Sequence, residues 1–130
     1  MAQITPYLFV YGTLLSSQNQ YGAYLQQHCT FLQTGKFRGR LYDMGEYPGA
    51  VFSDEGDQYV HGSIYQMDDT ENILSFIDDY EGFGANQEQP NLFIRILKGI
   101  ETPTETITCW VYIYNLSVEH LPHIKSGRYL

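Results

Sequence analysis

Two cysteines in 130 residues, Cys29 and Cys109, are too few and too far apart for a disulfide framework or a zinc cluster, and they form no C-x-x-C unit. As free thiols they suit the role of small apolar side chains in a reducing compartment. Basic residues are also scarce. Seven Lys and Arg against 15 Asp and Glu give a formal net charge of -8, which opposes binding to nucleic-acid backbones and to anionic membranes. No apolar run approaches the roughly 20 residues that span a bilayer. The start, Met1-Ala2-Gln3-Ile4, lacks the basic and apolar stretches of a secretory signal. The expectation is a cytoplasmic protein with no nucleic-acid or membrane partner. With no internal repeat, low-complexity tract or linker, residues 1–130 are expected to form one domain with one core.

Aromatic residues, by contrast, are abundant: 12 Tyr and 7 Phe contribute to a 15% aromatic share. Many of the tyrosines should be half-buried, each hydroxyl reaching a polar partner. Tyr7-Leu8-Phe9-Val10-Tyr11 reads as a buried strand that stops at Gly12. Ser16 or Ser17 could cap a short helix through Tyr21, Tyr24 and Leu25. Residues 29–42, broken by Gly35 and Gly39, suggest one or two bent strands. Tyr47-Pro48-Gly49 reads as a turn, Pro fixing φ and Gly supplying a positive one. In the strand expected over 59–67, Gly62 fits a bulge or a close contact.

The clearest helix runs over about 70–80, with Ile73, Leu74, Phe76 and Ile77 at helical spacing and Gly82 as its stop. Strands over 92–97 and 106–114 follow. The second is apolar or aromatic on both faces, which suits a barrel or a sheet covered on two sides. Short strands bent at glycines and few helices predict an α+β fold, a small mixed barrel-like β-sheet with a few short helices.

Glu81 lies one helical step beyond Ile77 and two beyond Ile73, so it continues the buried stripe. Desolvation and the negative end of the helix should both raise its pKa, making it a candidate general base. Asp78 and Asp79 are expected to face elsewhere or lie in water. At the other end of the chain, the turn Tyr11-Gly12-Thr13-Leu14 should expose main-chain N–H groups that no ladder uses, and such groups bind anions or polarise carbonyls. Gly12 would leave room for a ligand, and Thr13 would add a hydroxyl. Both features have ordinary structural readings, a frayed helix end and a common turn. Arg95 is expected to pair with an acid or stack on a tyrosine. His61 reads as a satisfied interior histidine, and His120-Leu121-Pro122-His123 as a surface loop.

Taken together, Tyr11-Gly12-Thr13-Leu14, Tyr47-Pro48-Gly49, Val60-His61-Gly62-Ser63-Ile64-Tyr65, Asp79-Tyr80-Glu81-Gly82 and Phe93-Ile94-Arg95, in this order over nearly the whole chain, resemble the gamma-glutamylcyclotransferase-like family, including the AIG2-like proteins and the gamma-glutamylamine cyclotransferases. The resemblance implies that residues 11–14 bind the α-carboxylate and amino end of a gamma-glutamyl small molecule and that Glu81 is the general acid/base. It also implies that Tyr112, in Cys109-Trp110-Val111-Tyr112, contacts substrate, that the product is 5-oxoproline, and that no metal or organic cofactor takes part. Leu15-Ser16-Ser17-Gln18-Asn19-Gln20 departs from the basic, glycine-containing loop of many relatives, and the polar, acidic loop 84–91 leaves the leaving-group side undefined. The rival reading is a non-catalytic binding or regulatory domain of the same fold.

Overall fold

The computed structural model describes residues 5–12, 20–44, 48–53, 58–81, 91 and 93–128, excepting the side chains of 20–21 and 79–81. β1 (Tyr7–Val10) is followed by α1 (Gln20–His28), which runs directly into β2 (Cys29–Asp43). β3 (Pro48–Phe52), β4 (Tyr59–Met67), α2 (Thr70–Glu81), β5 (Phe93–Glu101), β6 (Thr106–Tyr114) and β7 (His123–Ile124) complete the order.

Five strands close a mixed barrel in the order β2-β4-β1-β6-β5, with Lys36 of β2 opposite Glu101 of β5 where the ring shuts. β1 and β6 run parallel, Leu8 level with Trp110, and the other neighbours in the ring are antiparallel. The last part of β2 leaves the ring to pair with β3 and β7.

Successive side chains on a strand point to opposite faces, and β1 therefore serves two cores. Phe9, with Tyr11 just beyond the strand, joins Phe37, Leu41, Val60, Ile64, Ile100 and Val111 inside the barrel. Leu8 and Val10 belong with Tyr65, Met67, Tyr112 and Tyr114 to the other cluster, where Leu25 of α1 and Ile73, Leu74 and Ile77 of α2 cover them. The two-faced character of β6 has the same origin: Cys109, Val111 and Ile113 fill the barrel while Tyr112 and Tyr114 lie in the helix-covered layer.

Several local expectations change. Residues 29–42 belong to a single strand, and β5 continues to Glu101 because its ladder with β6 runs unbroken from Phe93–Tyr114 to Glu101–Thr106. Pro48 and Gly49 open β3 instead of turning the chain, pairing with Asp43 and Tyr42. Pro is tolerated at the first residue of a strand. Among the described residues the only positive φ belongs to Gly127, so Gly49 does not supply one. Gly62 is in regular register with Gly35, and the irregularity of β2 falls between Phe31 and Gln33. Gly62 is instead a close approach: a Cβ there would press into the Val10 carbonyl and the Phe9 ring. His123 is not in a loop but pairs with Tyr42 in β7. Tyr47, the capping Ser16 and Ser17, the stop at Gly82, residues 84–90 of the polar loop and Leu92 lie outside the described residues.

Both cysteines are free, Cys109 buried and Cys29 half-buried, and burial pushes each thiol up to about 12. His61 and His123 move the other way. Burial lowers both, reinforced at His61 by Arg128 and Lys36 and at His123 by Arg40 and Lys125. A histidine whose pKa is lowered on folding binds its proton more readily in the unfolded chain, so its contribution to stability is lost as the pH falls through the window below about 6.5. Urea midpoints should therefore decline from pH 7.5 to pH 5.5, and a variant carrying both His61→Asn and His123→Asn should decline less.

Candidate functional site

The sheet and helix bring Gly12 and the end of α2 toward one end of the barrel. β6 is parallel to β1 with Trp110 level with Leu8, which puts Tyr112 level with Val10 and Tyr114 level with Gly12. α2 starts just beyond Met67, whose N–H donates to Pro6 O at 2.8 Å, and is therefore entered from the opposite end of β1. One to two turns later its Leu74 carbonyl and Asp78 carboxylate meet the Tyr112 hydroxyl, at 3.4 Å and 2.5 Å. The helix thus travels along β1 and β6 toward the Gly12 end, and Glu81 closes it three residues after Asp78. Residues three apart on a helix are surface neighbours.

Asp78 anchors this arrangement. Arg95 Nη1 donates to both of its carboxylate oxygens, each at 3.0 Å, and the Arg95 and Asp78 side chains are each only 21% exposed. The guanidinium also lies over the Trp110 ring, 4.9 Å from its centroid. Arg95 and Tyr112 are directly paired on β5 and β6, so both donors come from one face of the sheet and converge on one helical carboxylate. Asp78, expected to face elsewhere or lie in water, is held between β5 and β6, and Arg95 stacks on tryptophan while pairing with an acid. The sequence held a signal for Asp78: it stands four residues after Leu74, as Glu81 stands four after Ile77.

Tyr112 is buried at 3% exposure, with its hydroxyl engaged by α2. Its observed task is to hold the helix to the strand. Tyr112→Phe should lower stability by about 1.5 kcal/mol, the lower end for losing a hydrogen bond to a charged group, which the urea midpoint would report.

Tyr11 is a second tie. Its hydroxyl donates to Tyr112 O at 2.6 Å and accepts from Ala50 N at 3.2 Å, joining the ends of β1 and β6 to β3. Gly12 is buried, and a Cβ there would lie 2.7 Å from Pro48 Cγ. The missing side chain makes room for the Pro48 ring. Thr13 and Leu14, and the side chain of Glu81, lie outside the described residues.

His61 is half-buried at a groove on β2, β4 and β5 rather than within the barrel. Among the described residues no helix is long and apolar enough to cross a membrane, and no three His, Cys, Asp or Glu side chains converge as metal ligands would.

Residues 8–130 match the family model for gamma-glutamyl cyclotransferase, AIG2-like proteins. A Vibrio cholerae relative, provisionally named a gamma-glutamylcyclotransferase, is 38% identical over 124 residues, which are 92% of this chain and 91% of that one. The gamma-L-glutamyl-butirosin B gamma-glutamyl cyclotransferase of Niallia circulans is 32% identical over 111 residues, 85% of this chain and 67% of its own length. The solution structure of Escherichia coli ytfP superposes with a TM-score of 0.67 at 28% identity, covering 95% of this chain and 96% of that protein.

Proposed function

The chain belongs to the gamma-glutamyl cyclotransferase, AIG2-like family, and from that membership we propose that it converts a gamma-glutamyl amine or peptide into 5-oxoproline and a free amine. The α-amine of the glutamyl unit attacks its own γ-carbonyl carbon. A carbon–nitrogen bond forms within the ring, and the bond to the leaving amine breaks. Glu81 takes the proton released from the attacking nitrogen and gives it to the departing one, the two halves of general acid/base catalysis. Main-chain N–H groups in residues 12–14 hold the α-carboxylate of the head, with the chain bent for ring closure. Holding that near-attack geometry removes the conformational freedom that opposes ring closure. Net protein charge matters little here, because local donors hold the head group.

The observation that supports the reading is the tie between Asp78 and Tyr112, which holds the last part of α2 to β6 at the level of Val10, two residues before Gly12. Asp78 is itself a poor choice of base, since Arg95 and Tyr112 already occupy its oxygens. The Tyr11 ring is tied into the barrel, so its share in binding would come from its main chain. Tyr112 would act on substrate only through the placement of α2. The experiment is to supply a panel of gamma-glutamyl amines and dipeptides and measure 5-oxoproline by chromatography. Turnover of one or more supports the reading. Saturable binding without turnover of any would make the protein a binding domain of the same fold.

A further inference from the structure

A half-open groove of about 400 Å³ lies where β2, β4 and β5 approach one another, lined by residues of none of the segments assigned above to cyclisation. Its size is within the range of small-molecule sites. Its lining includes Lys36 and Arg128, the acidic Glu101, and the hydroxyl-bearing Thr34 and Thr102. Lys36 and Glu101 are opposite each other where the barrel closes, yet among the described residues neither they nor Arg128 lie within ion-pair distance of an opposite charge. The Lys36 ammonium instead lies over the Tyr59 ring, 4.2 Å from its centroid.

Arg128 is held at the groove by a built turn. Gly127 has φ 71°, and a Cβ there would collide with the Tyr59 carbonyl. Its carbonyl accepts from His61 N at 2.8 Å, its N–H donates to Ile124 O at 3.1 Å, and Arg128 N donates to Ser126 Oγ at 3.3 Å. The C-terminal segment is therefore tied to β4, and the next side chain is delivered to the groove rim. In a chain of net charge -8 with only seven Lys and Arg, two cations on one small groove are a local excess.

We propose that this groove binds a free α-amino acid, its carboxylate on Lys36 and Arg128 and its ammonium on Glu101. A guanidinium and an ammonium suit a carboxylate, and charge-assisted hydrogen bonds are the strong ones. Glu101 supplies the complementary charge for an amine and works against a multiply charged anion such as phosphate. The inference does not depend on the cyclisation reading, because the two sets of residues are separate.

The test is a titration of the ¹⁵N-labelled protein with L-alanine and L-glutamine, and with acetate, methylammonium and inorganic phosphate as single-charge and anion controls. At least one amino acid should shift the Gly35 and Gly62 amides saturably and bind at least about 10-fold more tightly than any control, a ratio that corresponds to one additional charged contact. Arg128→Ala and Glu101→Gln should each weaken binding at least about 10-fold while the remaining spectrum stays native, whereas Lys98→Ala should change nothing. The absence of saturable shifts at these amides would overturn the proposal. So would unchanged affinity in Arg128→Ala and Glu101→Gln, or phosphate binding more tightly than both amino acids.

Discussion

Glu81→Gln is expected to lower the rate of 5-oxoproline formation by at least about 10²-fold, the usual contribution of a positioned general base. Glutamine keeps the size and hydrogen-bonding reach of the side chain but cannot take the proton from the attacking amine. Substrate affinity should change far less than turnover, because the head group is assigned to main-chain donors of residues 12–14. Stability should hold to within about 0.5 kcal/mol, as for most substitutions that create neither a cavity nor an unpaired buried charge. In the wild type the rate should rise with pH as the Glu81 carboxyl ionises, and the variant's residual rate should lack that step. A variant as fast as wild type would remove Glu81 from the chemistry.

Asp78→Ala should cost more stability than either Tyr112→Phe or Glu81→Gln. Removing one partner of a fully buried ion pair costs about 3–5 kcal/mol, and the 21% exposure of Asp78 and Arg95 reduces this to about 2 kcal/mol. For a chain of this length the melting temperature would fall by about 8 °C. The Arg95 guanidinium and Tyr112 hydroxyl would lose the carboxylate they share, so combining Asp78→Ala with Tyr112→Phe should cost less than the sum of the two. Turnover should also drop, by about 10-fold, because the helix end that carries Glu81 is no longer tied to β6. Since Asp78 positions and does not transfer protons, the pH–rate profile should keep its shape. A changed profile, or unchanged melting and turnover, would contradict this role.

The architecture was legible wherever periodicity is strong. β6 and β4 follow runs of β-branched and aromatic residues, and α2 follows the spacing of Ile73, Leu74 and Ile77. The mixed barrel followed from a strand apolar on both faces among short strands bent at glycines. Pro48-Gly49 misled because local turn chemistry matches a strand start equally well, and only pairing with Asp43 and Tyr42 distinguishes them. Gly12 was expected to admit a ligand, whereas its neighbour is Pro48, 36 residues away in sequence.

The site was legible in part. Gly12 and the end of α2 are directed to one end of the barrel, which needs the parallel pairing of β1 with β6, a long-range fact with no local signature. The engagement of Asp78 by Arg95 and Tyr112 was missed for a related reason. A charged residue on a helix is ordinarily solvated, and the two strand donors that draw it inward lie 17 and 34 residues further on. Tyr112 was expected to contact substrate, and the visible partners of its hydroxyl belong to α2.

The most direct test of the account is a crystal structure with 5-oxoproline bound. The expected result is a product molecule whose carboxylate accepts from main-chain N–H groups of residues 12–14, with the Glu81 carboxyl within hydrogen-bond distance of the ring nitrogen. Product bound elsewhere, or Glu81 turned to solvent with the product in place, would contradict it.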